Sequence, residues 1–280
     1  MIKSILVCID GSRHADAAAR YGMYLTRELE AALMAIHVLD SRMLEGPLMA
    51  DISGWIGAQP YGAQLQQFRE LLQQRGDSVT QAFNQGCDEA GIKYESWITM
   101  GHPSRVILDE EIKAELVIIG QKGEHAELGG DMMGSTAERI ARNSIKPCLI
   151  VSETFQPIKR ILAAYDGSGH ASQALHEAVE LAQALNVELV IVTVCERGHR
   201  HDFNQITEDG KRLADAHGCQ ARTLTLDGVP EEIILNQAQE QECELIVVGA
   251  HGHGRIREMF IGSTTQRILE RSSLPVLIVR

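Results

Sequence analysis

The chain has few of the features that mark several large classes of protein. Only 4% of its 280 residues are aromatic and only 7 are proline, and no apolar run approaches the roughly 20 residues that a membrane-spanning helix needs. Its six cysteines include no C-x-x-C pair, and three of them lie in or beside apolar segments. The net charge is −12 without a dominant basic face, which argues against nucleic acid and anionic membranes as partners. Because the first residues run directly into a strand and lack the architecture of a signal peptide, we expect a cytoplasmic protein without disulfides.

Two common phosphate-binding motifs, the Walker A loop and G-x-G-x-x-G, are also absent from the expected places. The chain has a different glycine-rich loop. Gly249-Ala250-His251-Gly252 follows an apolar run at 245–248, and nine residues later Gly262-Ser263-Thr264 begins a predicted helix. Glycines allow a backbone to approach a ligand closely, and the N–H groups at a helix start attract anions. The pattern therefore predicts a loop that binds an anion.

The same arrangement occurs twice. Gly120-Gln121-Lys122-Gly123 follows an apolar run at 116–119, and ten residues later comes Gly134-Ser135-Thr136. Asp10-Gly11-Ser12 likewise matches Asp166-Gly167-Ser168, and the landmarks keep one order throughout. A repeat of this length indicates duplication of a whole domain, and we expect domains at residues 1–154 and 155–280. Their short connector predicts that the two domains lie against each other.

Strands and helices alternate in both halves. In the first half, strands are predicted at 5–9, 33–38, 94–99, 116–119 and 148–151, and helices at 14–30, 64–90, 104–112 and 135–143. In the second half, strands are predicted at 161–165, 188–194, 221–226, 245–248 and 276–279, and helices at 170–185, 203–217, 230–240 and 263–271. This order predicts two tandem α/β domains, each a doubly wound, Rossmann-like, five-stranded parallel sheet. The first half is longer between its second and third strands. We expect a loop at 43–62 there, whose Trp55 either serves as a lid or partner contact or packs on the protein itself.

A crevice is expected where the strand order reverses, beyond the carboxyl ends of the strands. Asp10 and Asp166 end the first strands of the two halves, and each glycine-rich loop follows a fourth strand, so each aspartate should meet its loop. An aspartate at such a tip can accept hydrogen bonds from a sugar hydroxyl or an amine. Asp-Gly-Ser can equally form a turn that caps the next helix. Both interpretations stay open, because the backbone can make the turn while the side chain contacts a ligand.

The duplicated pattern of these residues resembles the universal stress protein family, specifically tandem members of its ATP-binding subclass. The resemblance implies adenine nucleotide alpha hydrolase-like domains that bind ATP, alone or with Mg²⁺. It implies that Asp166 and the backbone near Val194 hold adenosine while the glycine-rich loop wraps ribose and phosphates. The candidate ligand residues are Ala164, Asp166, Val194, Gly249, His251, Gly252, Gly262, Ser263 and Thr264, with Asp10, Val38, Gly120, Gly123, Gly134 and Ser135 in the first half. In this family the fifth strands pair across a two-fold axis, so the halves of this chain are expected to form a pseudo-dimer, and a homodimer of the chain is compatible with it.

The two loops differ in charge. Between the outer glycines of the first loop, carboxylates at 124, 127 and 131 stand against one lysine; in the second, arginines at 255 and 257 stand against one glutamate. One like-charge contact at 4 Å opposes binding by roughly 4 kcal/mol at an effective dielectric near 20, before screening. We therefore expect the second half to hold ATP. The first half should hold it weakly, not at all, or through a bridging divalent cation.

Catalytic residues are not evident. There is no Ser-His-Asp, metal-hydrolase or Walker set, and phosphoryl transfer would need a positioned base or water that cannot be named here. Two His-x-His pairs, at 199/201 and 251/253, offer too few ligands for a metal site. Asp109-Glu110-Glu111 lies on a predicted helix, where adjacent side chains diverge, and is expected to be solvated. The sequence thus predicts an ATP-binding stress-response regulator, with a slow ATPase and a nucleotide-free interaction module as alternatives.

Overall fold

The computed structural model of the chain describes residues 2–45, 61–124, 133–195, 200–252 and 261–280. The first half contains strands β1 (Ser4–Cys8), β2 (Ala32–Asp40), β3 (Tyr94–Gly101), β4 (Leu116–Gly120) and β5 (Cys148–Val151). Its helices are α1 (Arg13–Leu29), α2 (Arg42–Glu45), α3 (Tyr61–Ala90), α4 (Pro103–Glu110), which a 3₁₀ turn (Glu111–Lys113) extends, and α5 (Ser135–Asn143).

The second half repeats the order of the first. Its strands are β6 (Arg160–Ala164), β7 (Glu188–Cys195), β8 (Ala221–Asp227), β9 (Leu245–Gly249) and β10 (Val276–Val279). Its helices are α6 (Gly169–Leu185), α7 (Arg200–Ala216), α8 (Pro230–Glu240) and α9 (Ser263–Arg271). The predicted alternation of strands and helices is confirmed in both halves, and the differences lie at the ends of elements.

The strands of both halves join into one sheet. Within the described residues the strand order is β3-β2-β1-β4-β5-β10-β9-β6-β7-β8. Neighbouring strands are parallel except at the centre, where β5 and β10 pair antiparallel with Leu149 opposite Leu277. The two predicted five-stranded sheets therefore share a central edge, and the expected pairing of the fifth strands within one chain is present. An apolar edge that would otherwise invite another chain is covered in this way.

The sheet is buried on both faces. Alternate residues of β1 point to opposite layers: Val7 belongs to a core cluster under α1, α3, α6 and α7, and Leu6 to a cluster under α4, α5, α8 and α9. Both side chains have no exposed surface. Burying one such side chain contributes about 1.5–3 kcal/mol, which explains why the central strands are continuous apolar runs.

The connector between the halves packs against α1. The ring of Phe155 lies edge-on to Tyr21, with ring centroids 4.8 Å apart, and the Arg20 guanidinium lies 4.9 Å from the centroid of Phe155. The main-chain N–H of Gln156 also donates to the Tyr21 hydroxyl at 3.2 Å. The connector is thus fixed in place, as the short link between the domains predicted.

Two expectations from the sequence need correction. The loop expected at 43–62 is partly helical, because α2 occupies Arg42–Glu45 and α3 already begins at Tyr61; Trp55 and the rest of 46–60 lie outside the described residues. Glu111, expected on a solvated surface, is only 4% exposed. Its carboxylate accepts hydrogen bonds from the Ser144 hydroxyl and from the main-chain N–H of Ile145. A tertiary contact that no local pattern reveals therefore buries this charge.

Candidate functional site

Each half begins its site with the same turn after the first strand. Asp10 Oδ1 accepts from the main-chain N–H of Ser12 at 2.9 Å, and the Ser12 hydroxyl accepts from the N–H of Ala15 at 3.1 Å, which caps α1. The matching bonds in the second half, Ser168 N–H to Asp166 and Ala171 N–H to Ser168, measure 2.9 and 3.2 Å. The glycine between the aspartate and the serine has φ of +82° in the first half and +80° in the second. The turn-and-cap interpretation of Asp-Gly-Ser is therefore confirmed.

The first glycine of each loop is required by packing within the protein. A Cβ on Gly120 would lie 2.6 Å from the Cβ of His14 and 2.9 Å from its carbonyl carbon. A Cβ on Gly249 would lie 2.8 Å from the carbonyl carbon of His170 and 2.9 Å from the N of Ala171. Both glycines therefore let the loop lie directly on the first turn of the helix that follows the Asp-Gly-Ser turn.

The second glycine brings the loop against the aspartate. A Cβ on Gly123 would lie 2.9 Å from Asp10 Oδ2, and one on Gly252 would lie 2.7 Å from Asp166 Oδ2. In the first half, Asp10 Oδ2 also accepts from the main-chain N–H of Glu124 at 3.2 Å. Each aspartate thus meets its loop, as the topology predicted, and in the first half it also anchors it.

The third glycine differs from the first two, because a Cβ there would meet only ordinary contacts. The nearest atoms to a Cβ on Gly134 or Gly262 are 3.4 Å away, an ordinary contact. Their N–H groups donate to the main-chain oxygens of Gln121 and Ala250 at 2.9 and 2.8 Å, which closes each loop. Each is the N-cap of the following helix and makes no side-chain capping bond. Unlike the first two glycines, the third is therefore not required by packing within the described residues.

A cavity of about 540 Å³ lies over the carboxyl ends of the first-half strands. We call it the first-half cavity. Its volume is within the range of roughly 300–1,000 Å³ that is typical of small-molecule sites. All the first-half candidate residues line it: Asp10, Val38, Gly120, Gly123, Gly134 and Ser135, together with Thr136. The structure therefore brings together residues that are far apart in the sequence.

Charged side chains line this cavity in pairs. Arg42 Nε donates to both oxygens of Asp40, at 2.8 and 3.0 Å. Burial alone would raise the pKa of Asp40, but the hydrogen bonds from Arg42 outweigh burial and hold that pKa below its ordinary value. Arg75, on α3, forms an ion pair with Glu124 in the first loop. Both arginines are thus engaged with carboxylates.

Four charged cavity residues were missed by the sequence interpretation: Asp40, Arg42, Arg75 and Glu138. Glu138 lies in the first turn of α5 and pairs with Arg142 at 2.8 Å. The matching residue of the second half is Gln266, and the first turn of α9 has no acidic residue. Aligning the two halves at their Gly-Ser steps would have revealed this difference. No local pattern places Arg42 or Arg75 at the cavity.

In the second half the predicted residues occupy equivalent elements. Ala164 ends β6, Val194 lies in β7, Gly249 ends β9, and Gly262 precedes Ser263 and Thr264 at the start of α9. The Thr265 hydroxyl donates to the Gly249 carbonyl at 2.8 Å and so ties α9 to its loop. The charged residues expected to set the two loops apart lie largely outside the described part of the chain, at 253–260 in the second loop and at 127 and 131 in the first.

His251 does not bring a full positive charge to the second loop. Burial lowers the pKa of its imidazole, and His170 and Arg280 lower it further. Its ring centroid lies 5.1 Å from that of His170, and neither ring nitrogen has a hydrogen-bond partner among the described residues. His251 is therefore neutral near pH 7, so the charge contrast between the loops depends on other residues.

Two features are absent from the described residues. These residues contain no group of three or more histidine, cysteine, aspartate or glutamate side chains placed to hold a metal ion. None of the described helices combines the length and the apolar character that crossing a membrane requires. All six cysteines lie within the described residues; they are buried and form no disulfide.

Comparisons with known proteins agree with this architecture. The universal stress protein family model matches twice, at residues 1–152 and 157–280. Universal stress protein Slr1230 of Synechocystis is 30% identical over 290 residues, which cover all of both chains. The crystal structure of a universal stress protein from Archaeoglobus fulgidus aligns with 99% of this chain and 96% of its own, at a TM-score of 0.70 and 22% identity. A shorter universal stress protein, solved in complex with cAMP, aligns with 45% of this chain and 99% of its own at 24% identity and a TM-score of 0.39. With two family domains in the fold expected for them, the chain belongs to the universal stress protein family.

Proposed function

We propose that this protein is an ATP-binding regulator of the stress response, and that its second half holds the nucleotide. Asp166 and Val194, with Ala164, would contact the adenosine end, and Gly249, Gly252, Gly262, Ser263 and Thr264 would surround ribose and phosphates. The observation that carries the proposal is the start of α9. It begins at a glycine without a side-chain cap, has no acidic residue in its first turn, and is not held to glycine at 262 by any close contact among the described residues.

The electrostatics of the two helix starts support the second half as the ATP site. An anion at a helix N-terminus gains roughly 0.3–1 kcal/mol, and up to about 2 kcal/mol where it is partly buried. At α5 the carboxylate of Glu138 already lies in the first turn, whereas at α9 the matching side chain is the neutral amide of Gln266. A phosphate therefore meets an acidic neighbour in the first half and a neutral one in the second.

Regulation rather than catalysis fits the residues around this loop. We assign no catalytic residue, and ATP would act by stabilising the conformation that it binds. The second loop lies on α6 through Gly249 and is tied to α9 through Thr265, so a bound nucleotide would hold both helices. Mg²⁺ would arrive with the phosphates of ATP, since carboxylate and phosphate oxygens are its preferred ligands.

The proposal extends to location and assembly. Six buried cysteines without a disulfide fit a reducing compartment, and we propose the cytoplasm. Because β5 and β10 already pair within the chain, a homodimer would use another surface.

The third glycines offer a matched test. Gly262→Val should abolish ATP binding, because it puts a branched side chain at the start of α9, where the phosphates would lie. Gly134→Val makes the same change in the first half and should leave ATP binding intact. Isothermal titration measures the affinity and the stoichiometry, and melting without ligand shows whether each variant folds. A ligand at 100 times its Kd stabilises the native state by about 2.7 kcal/mol, so ATP should also raise the melting temperature of wild type. Loss of ATP binding in Gly134→Val with retention in Gly262→Val would contradict the proposal.

A further inference from the structure

We infer that the first-half cavity is a site for an uncharged nucleoside, and that the Arg75–Glu124 ion pair together with Glu138 excludes polyphosphates from it. The inference rests on the proposed function for the expectation of a nucleoside-like ligand, and it gives the two halves of the chain different ligands. Four features of the cavity support it: its size and walls, the pairing of its arginines, the position of its carboxylates and the free acceptor capacity of Asp10.

The size and walls of the cavity suit a flat, largely apolar group. About 540 Å³ is available, and the walls include Val38, Leu39, Met43, Leu72 and Met133. Typical ligand pockets are lined in this way by apolar side chains with a few polar groups that fix orientation. A purine base would lie against these side chains with its sugar directed to the strand tips.

The arginines of the cavity are engaged with carboxylates. Arg42 binds Asp40 through a two-oxygen contact, and Arg75 pairs with Glu124. Hydrogen bonds between a guanidinium and a carboxylate are stronger than ordinary ones, and each carboxylate offsets the positive charge that would attract a phosphate. A phosphate could recruit Arg75 only by displacing Glu124, whose own main-chain N–H is held by Asp10.

Carboxylates also occupy the phosphate end of the cavity. Glu124 lies in the loop, and Glu138 lies in the first turn of α5, beside the helix start that attracts anions. In total, four acidic side chains line the cavity against three basic ones, namely Asp10, Asp40, Glu124 and Glu138 against Arg42, Arg75 and Lys122. A triphosphate would add further negative charge to this set, whereas a nucleoside adds none.

This arrangement is specific to the first half. Val79 of α3 packs over Gly11 as Ile206 of α7 packs over Gly167, and this pair of contacts aligns the two helices. In that alignment the second-half residues matching Arg75, Glu124 and Glu138 are Asp202, His253 and Gln266. The second half therefore has an aspartate in place of the arginine, and it has no carboxylate at the two positions where the first half has glutamates.

The sugar of a nucleoside would find an acceptor in Asp10. A carboxylate offers about four lone-pair directions. Two are used by the N–H groups of Ser12 and Glu124, at 2.9 and 3.2 Å. Asp10 lines the cavity, so its remaining acceptor capacity can meet a ribose hydroxyl.

The Gly262→Val variant keeps the third glycine of the first half, Gly134, and titration of this variant with ligand tests the inference. With Gly262→Val blocking the second half, adenosine should bind with one site per chain, and ATP should bind at least about tenfold more weakly. Adding Glu124→Gln and Glu138→Gln to that variant should strengthen ATP binding by about tenfold or more, and should change adenosine binding little. Glu89→Gln and Glu240→Gln, two exposed carboxylates away from the cavity, provide the matched control and should change neither affinity.

Hydrogen exchange on the wild-type chain gives a second measurement that does not depend on a variant folding. Adenosine should slow exchange in peptides around 116–124, and ATP should slow it around 245–252. The inference is overturned if ATP binds Gly262→Val as tightly as adenosine does, or if adenosine protects only the second half. If wild type binds no ATP while Gly262→Val still binds adenosine, the proposed function fails and the nucleoside site stands.

Discussion

The side-chain amide of Gln121 donates a hydrogen bond to the main-chain carbonyl of Leu269, across the boundary between the two halves. Gln121 lies in the first glycine loop, and Leu269 lies near the end of α9, the helix whose start forms part of the second site. The Arg280 guanidinium makes the reciprocal contact with the main-chain carbonyls of Ala141 and Arg142 at the end of α5. Each half thus satisfies carbonyls that the helix of the other half leaves without an intrahelical partner.

Replacing Gln121 by Ala should lower the free energy of unfolding by about 1–3 kcal/mol, because it leaves a buried carbonyl without its donor. Leu269 is only 1% exposed. Urea denaturation measures the loss, with Gln85→Ala, an exposed glutamine of α3, as a control that should stay within about 0.5 kcal/mol of wild type. Equal effects from the two substitutions would show that the contact between the halves contributes nothing.

Alanine at the first glycine of the second loop should lower the stability of the protein, whereas alanine at the third should change it little. Gly249→Ala places a methyl group 2.8 Å from the backbone of His170, and such overpacking should cost about 1–3 kcal/mol of stability. Gly262→Ala meets only ordinary contacts, and its φ of −61° suits alanine, so its unfolding free energy should change by less than about 1 kcal/mol. Thermal and urea unfolding of both variants, without ligand, measure the difference. A Gly262→Ala variant as unstable as Gly249→Ala would contradict the contrast.

Cys8 should be nearly inert to alkylation in the native protein. Burial raises the pKa of its thiol far above the ordinary value, and Cys148, Asp10 and Glu111 raise it further. The reactive thiolate is therefore scarce near pH 8, and the rate should be at least about 100-fold below that of a free thiol. Iodoacetamide labelling followed by peptide mass spectrometry measures the rate at each cysteine, and labelling in urea gives the unfolded reference. Because Cys8 lines the first-half cavity, adenosine should slow its labelling further. Native labelling as fast as labelling in urea would contradict the burial of Cys8.

The fold could be predicted from the sequence because the patterns that indicate its strands and helices are local and occur in both halves. Continuous apolar runs predicted the strands, and Ser135–Asn143, Pro230–Glu240 and Ser263–Arg271 agree with the predicted helices residue for residue. The pairing of Asp10 with its glycine loop followed from the topology of parallel sheets. These features depend on order along the chain, which a single sequence contains.

The contacts that shape the cavity and join the halves depend on distances between elements, and no local pattern contains them. Arg75 lines the first-half cavity because α3 packs beside the first glycine loop, where Arg75 pairs with Glu124. Glu111 is buried by a loop more than thirty positions away, and Gln121 finds its partner in the other half. A comparison of the two halves would have revealed Glu138 against Gln266, because duplication makes each half a reference for the other.

Glu231 and Arg267 provide a pH-dependent link between α8 and α9. Burial alone would raise the pKa of Glu231, but hydrogen bonds from its own main-chain N–H and from Arg267 outweigh burial and hold that pKa below its ordinary value. A carboxylate whose pKa is lowered by folding contributes stability above its unfolded pKa of about 4.3, and the contribution is lost as the pH falls through the folded pKa. Glu231→Gln should therefore cost about 1–3 kcal/mol near pH 7 and progressively less below pH 4. Urea unfolding of wild type and variant across this range measures the difference, and in an Arg267→Ala background the difference should shrink at every pH, because the donor is gone. A cost that is the same at pH 3 and pH 7 would show that Glu231 stabilises the contact between the helices by packing and not by its charge.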